Sequence, residues 1–187
     1  MIRVVGFCCV ISFFFGCSDN SSTEKDPQVW PESFGFGRDA TTDEIASKDI
    51  DIGPDGTGLL HEGKGKASFG AIVYQQKCAT CHGVYGTDGP YGALVTDVSD
   101  TTSSKKTVGN YWPYATTLYD YINRAMPFDK PGSLTAEEVF HLTAFILYSN
   151  RIIDSTTVID SKTLPAVIMP ARKIFVPDDR KGGPEVK

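Results

Sequence analysis

The chain has 187 residues, with 18 Lys and Arg against 23 Asp and Glu, a formal net charge of −5. A mildly acidic chain with no long basic run lacks the electrostatic footprint of nucleic-acid binding, which is excluded as its main business. It holds only five cysteines and three histidines, so any metal or redox chemistry rests on few side chains.

At the N-terminus Arg3 is followed by an apolar run from Val4 to Phe15, then Gly16-Cys17 and the polar string SDNSSTEKDPQ. The run is too short to span a bilayer, which takes about 20 residues, and residues 1–16 read as a secretory signal. Small Gly16 before Cys17 resembles a bacterial lipoprotein cleavage site, where Cys17 becomes the new N-terminus and carries the lipid. The protein then sits on the periplasmic side of a bacterial membrane, held by lipid rather than by a polybasic patch. The alternative is an ordinary signal peptide cut elsewhere and a soluble periplasmic protein. Cys8 and Cys9 leave with the signal, which suits an oxidising compartment where a spare thiol would mispair.

Residues 17–33 are rich in Ser, Asp, Asn and Thr, carry too little apolar surface to fold, and read as a tether of roughly 50 Å extended reach. Residues 34–67 are Gly-rich, with a short helix expected at Thr42 to Ser47 and a turn at Pro54-Asp55-Gly56. They read as an irregular wrap draped over a domain. The compact part is residues 68–150, and three helices are legible in it. The first runs from Phe69 to Lys77 and presents Phe69, Ile72 and Val73 at helical spacing. The second, Ala115 to Ala125, places Leu118, Ile122 and Ala125 on one face and is stopped by Pro127. In the third, Thr135 and Glu138 form a capping box, Leu134 staples onto Val139, and Val139, Leu142, Phe145 and Ile146 make the buried stripe. His141 falls outside that stripe and reads as a surface residue. Residues 151–187, with four prolines in LPAVIMPARKIFVPDDRKGGPEVK, suit an extended arm that lies along the domain or reaches a partner.

Just after the first helix stands CATCHG, Cys78 to Gly83. Cys-x-x-Cys followed at once by His is the attachment pattern of c-type haem. In that reading Cys78 and Cys81 hold the haem covalently and His82 is its proximal iron ligand. A structural zinc site needs four ligands and a thioredoxin site a βαβ setting. The rest of the chain supplies neither, since its other histidines are His61 and His141 and its other cysteines all lie in the first seventeen residues. A core of about 80 residues is marginal alone, and a buried haem adds both apolar filler and a covalent staple.

For the sixth iron position the candidates are Met126, in RAMPF 44 residues after His82, and Met169, in VIMPAR. Thioether sulfur favours reduced iron and raises the potential, as suits an electron carrier. Met126, on a strap stiffened by Pro127, is preferred; Met169 and an open site are the alternatives. Proximal histidines donate their other ring N–H to a carbonyl, and Pro90, in TDGPYGALV, marks a candidate segment for it, the alternative being an ordinary turn proline.

With these pieces in place the chain resembles a class I c-type cytochrome. TVGNYWPYATTLYDYINRAMPFDKPGSLTAEEVFHLTAFILYSN, residues 107–150, closely resembles the SoxD-like cytochrome subunit of molybdenum sulfite or sulfane dehydrogenases in the Sox sulfur-oxidation system. FGFGRDATTDEIASKDIDIGPDGTGL and LPAVIMPAR are similar to the same family's flanks. The resemblance implies an all-α class I cytochrome c fold, three core helices around one covalent haem c, with irregular N-terminal and extended C-terminal arms. It implies Met126 as distal ligand, with Tyr111, Trp112 and Arg124 near the haem and its propionates. It also implies a molybdenum dehydrogenase subunit and an acceptor cytochrome as partners. Two departures stand out. Some family members carry two haem domains, whereas one attachment motif stands here, and Leu94 follows Pro90 by four residues where the family's proline usually immediately precedes its apolar pair. The expected function is single-electron transfer without substrate chemistry of its own; the alternatives are a general lipid-anchored carrier to a terminal oxidase or another dehydrogenase, and an enzyme with an open iron position.

Overall fold

The computed structural model describes residues 30–32, 34–59, 62–96 and 105–176. The expected signal, Cys17 and nearly all of the tether lie outside them. Residues up to Asp39 form a unit of their own, in which the Trp30 and Phe34 rings meet at 6.0 Å.

From Ala40 onward the chain forms a second unit, mostly helical. Helix α1 (Thr42–Ala46) opens with a capping box between Thr41 and Glu44. Then come β1 (Gly65–Lys66), α2 (Ala67–Lys77), α3 (Ala79–His82), α4 (Val108–Tyr111), α5 (Ala115–Ala125), α6 (Ala136–Ser149) and β2 (Val158–Ile159). Two 3-10 turns, Leu164–Ala166 and Pro170–Ile174, follow. The strands pair antiparallel, Gly65 opposite Ile159. This small sheet departs from the all-α expectation: strands of two residues carry no alternation to read. Among the described residues no helix is long and apolar enough to cross a membrane.

The core is organised by the packing of α2 on α6. Gly65 lies against the Phe140 carbonyl and Gly70 against the His141 carbonyl, so closely that a Cβ at either would collide with backbone. That close approach selects the face that α2 buries. It is Ala67, Gly70 and Tyr74, whereas Phe69 and Ile72, expected in the stripe, are 53% and 57% exposed. On α6 the reading holds better. Thr135 Oγ1 accepts from the Glu138 amide at 3.2 Å and Glu138 Oε2 accepts from the Thr135 amide at 3.0 Å. Val139, Leu142 and Ile146 are buried, with Phe145 half-buried against the Tyr74 ring at 4.9 Å. His141 is half-buried rather than on the surface. Its Nδ1 accepts from the Lys66 amide at 3.0 Å, and its ring lies 5.2 Å from that of Phe69. The β1 strand thus uses His141 as a side-chain partner, a tertiary contact that helix periodicity does not encode.

Both flanking segments contribute to this core. Ile52 and Leu59 of the wrap are buried, and the Ile52 amide donates to Asp120 Oδ1 at 3.0 Å. Of the expected C-terminal arm, Ile159, Leu164, Met169 and Ala171 are at most 3% exposed. Each of the large ones contributes about 1.5–3 kcal/mol relative to exposure. The apolar core therefore extends well beyond residues 68–150, and the arm packs on the domain through Ile159, Leu164, Met169, Ala171 and the Phe175 ring instead of standing clear of it.

Candidate haem site

A cavity of about 570 Å³ opens between the α2–α3 junction, the loop after it, α4, α5, the strap from Met126 to Asp129, and α6. That volume lies in the range of small-molecule and cofactor pockets, about 300–1,000 Å³. Its walls are mainly apolar: Leu94, Val108, Leu118, Ile122, Leu142 and Ile146 line it.

The reactive side chains arrive through one turn of backbone. Helix α2 stops at Cys78, whose carbonyl accepts from the amides of Cys81 at 3.1 Å and His82 at 3.0 Å. Gly83, at φ +81°, ends α3 with its amide on the Ala79 carbonyl. Cys78, Cys81 and His82 all line the cavity, and both cysteines are free thiols. Burial pushes the Cys78 thiol up to about 11, so it stays neutral near pH 7. A thioredoxin-type redox pair needs the reverse, a thiol made acidic by its surroundings. Among the described residues no cluster of three or more His, Cys, Asp or Glu could hold a metal ion. Two free thiols and one imidazole on an apolar cavity fit covalent haem.

His82 Nδ1 lies 3.1 Å from the Gly92 carbonyl. A carbonyl can only accept, so Nδ1 carries the hydrogen and Nε2 keeps the lone pair a metal needs. The loop that brings Gly92 there is bonded along its length. Tyr74 Oη donates to the Gly83 carbonyl at 2.9 Å and Gln75 Nε2 to the Val84 carbonyl at 2.8 Å. The Tyr91 amide bonds to the Cys81 carbonyl at 3.1 Å, and those of Leu94 and Val95 to the Gly86 carbonyl at 2.7 and 2.9 Å. Pro90 sits on this loop, exposed and outside the cavity lining; the carbonyl that meets His82 belongs to Gly92.

Met126 lines the same cavity as His82. Its amide bonds to the Ile122 carbonyl at 3.2 Å, closing α5 so that the strap begins at the sulfur-bearing residue. Met169 is elsewhere, 2% exposed in the core and not on the cavity wall, which removes it as a ligand candidate.

Of the three residues expected near the haem and its propionates, Trp112 lines the cavity and meets the Tyr121 ring edge-on at 5.7 Å. Tyr111 is exposed, between Lys106 Nζ at 4.3 Å from its ring and the Phe175 ring at 5.6 Å. Arg124 is not on the wall: Nε donates to Asp120 Oδ1 at 2.8 Å, and the hydrogen bond and charge of Asp120 raise its pKa further. The reason is helical phase, since α5 turns Leu118, Tyr121 and Ile122 to the cavity and carries Asp120 and Arg124 on another face. The cationic residues on the wall are Lys77 and Lys106. Lys77 Nζ is held by Glu138 Oε1 at 2.6 Å, while Lys106 rests over Tyr111. Nothing in the local sequence marks Gly92 or Lys106; a carbonyl has no side-chain signature, and a lysine after a serine-rich stretch reads as solvated.

A covalent-haem motif set on a mainly apolar cavity, with an oriented histidine and a methionine on its wall, defines a c-type cytochrome. The sequence pattern of the family described as cytochrome C oxidase, cbb3-type, subunit III matches residues 65–146. The crystal structure of the sulfane dehydrogenase SoxCD from Paracoccus pantotrophus contains a similar chain, 36% identical with a TM-score of 0.68 over 79% of this chain and 74% of that one. No curated protein matches. The chain belongs to the cytochrome c family, with SoxD, the cytochrome subunit of that dehydrogenase, as its structural relative.

Proposed function

We propose that this chain carries one haem c on Cys78 and Cys81, with His82 and Met126 as the axial iron ligands, and relays single electrons from a molybdenum sulfite or sulfane dehydrogenase subunit to an acceptor cytochrome. The observation that carries the reading is the meeting of Cys78, Cys81, His82 and Met126 on one apolar cavity. Haem c, when bound there, supplies a reversible one-electron iron couple.

The chain's own residues then do three things. His82, oriented through Gly92, offers Nε2 as ligand, and Met126 offers a thioether that favours the reduced iron. Leu118, Ile122, Leu142 and Ile146 exclude water and keep the dielectric low, which also sets the potential. On the cavity rim Tyr91 and Phe128, 75% and 84% exposed, offer apolar contact for a small transient interface of the electron-transfer type. Lys106, on the cavity wall, would be a cation available to a propionate, whereas Arg124 is paired with Asp120. Cys17, acylated after removal of residues 1–16, would tether the domain to a membrane on the periplasmic side.

Purification of the protein from its native membrane, followed by a molybdenum assay on the co-purifying material, tests the partnership. Molybdenum in proportion to haem is the expected result. A preparation with haem and no molybdenum overturns it and leaves a general carrier.

A further inference from the structure

Asn150 follows the last residue of α6 and is fully buried. Its side chain makes three hydrogen bonds to the backbone. Nδ2 donates to the Ile146 carbonyl at 2.9 Å and to the Leu94 carbonyl at 3.2 Å, and Oδ1 accepts from the Thr96 amide at 3.2 Å. Two carbonyl acceptors and one amide donor settle which end of the amide is which. Of the three bonds, one closes α6 and two reach the loop that orients His82. Leu94 is a node in that loop: its amide bonds to Gly86, its carbonyl also accepts from the Val108 amide at 3.3 Å at the start of α4, and its side chain lines the cavity. Gly92, whose carbonyl meets His82 Nδ1, is two residues away.

We infer that Asn150 is a positioning residue for the proximal histidine: by clamping Leu94 and Thr96 to the end of α6 it holds the Gly92 carbonyl against His82 Nδ1–H. The inference rests on the haem reading above. A buried amide that satisfies three backbone groups is costly to remove, since each orphaned group carries a desolvation penalty. Outer partners of a metal-bound histidine fix its ring and raise its basicity. When the clamp is lost, Gly92 drifts, the His82 N–H is held less tightly, and the weaker imidazole donor favours reduced iron. The potential then rises. No substrate or partner is needed for this effect.

The test uses the purified full-length holoprotein with its haem attached. In Asn150→Ala the His82 ring N–H, followed by NMR, should exchange at least tenfold faster. The redox equilibrium should shift about threefold toward reduced iron, about 28 mV for a one-electron couple at 59 mV per tenfold. Asn150→Gln, which keeps the amide on a longer arm and guards against a variant that does not fold, should move both quantities the same way by less. Leu164→Ala, in the core away from the loop, should lower the unfolding midpoint and leave both unchanged. If the folded Asn150 variants behave as Leu164→Ala does, Asn150 only supports the fold and the inference is overturned. Wild-type protein without covalent haem would instead overturn the function proposed above.

Discussion

The two segments that frame the cavity are built differently. The loop from Gly83 to Thr96 is fastened by Tyr74, Gln75 and Asn150 side chains and by backbone bonds to Cys81 and Gly86. Among the described residues the strap from Met126 to Asp129 shows local backbone bonds alone, from Met126 to Ile122 and from Lys130 to Pro127, and it carries Phe128 largely in solvent. A ligand held by many bonds keeps its geometry when a neighbour changes; one held by a local turn does not. The segment beside His82 is thereby braced from several sides, and the strap that carries Met126 by fewer bonds.

Removing an anchor gives the largest effect. Cys78→Ser together with Cys81→Ser should abolish covalent haem, read as loss of haem stain on a denaturing gel, whereas Tyr91→Ala at the loop surface should retain it. Next, Met169→Ala should cost about 2–5 kcal/mol of stability by opening a core cavity. Denaturant unfolding checks this, with the haem spectrum unchanged because Met169 does not touch the cavity. Gly70→Ala should destabilise by about 1–3 kcal/mol, since the α2–α6 contact leaves no room for a methyl group. A smaller effect is pH dependence at His141. Burial lowers its pKa, with Glu137 and Glu138 opposing weakly, so the folded state prefers the neutral ring that accepts from Lys66. Its contribution is complete above the ordinary histidine value, about 6.5, and is lost as pH falls from there through the folded value. Unfolding midpoints measured from pH 7.5 to 5 should fall in wild type and change less in His141→Gln.

How much of this was legible in the sequence divides along physical lines. The α5 limits and the α6 start follow from Pro127 and from the Thr135–Glu138 box, because caps and breakers are local. The haem motif was legible for the same reason. The buried face of α2 was not, because Gly70 decides it by letting two backbones approach, and a glycine carries no hydropathy. The β1–β2 pair was invisible because it joins residues about ninety positions apart by backbone alone. Arg124 pairs with Asp120 one helical turn away and lies off the cavity wall, an orientation that a resemblance in sequence does not give. Gly92 presents only its carbonyl, and the Asn150 side chain bonds only to the main chain of residues distant in sequence, so only the folded chain brings them together.

One comparison tests the central claim most directly: optical spectra and carbon monoxide binding of the purified holoprotein beside its Met126→Ala variant. Wild type should bind carbon monoxide slowly or not at all, and the variant rapidly, with an altered oxidised spectrum and a redox equilibrium moved at least tenfold toward oxidised iron, about 59 mV. A variant with wild-type spectrum, potential and carbon monoxide binding would contradict the account, because the iron would then have some ligand other than Met126.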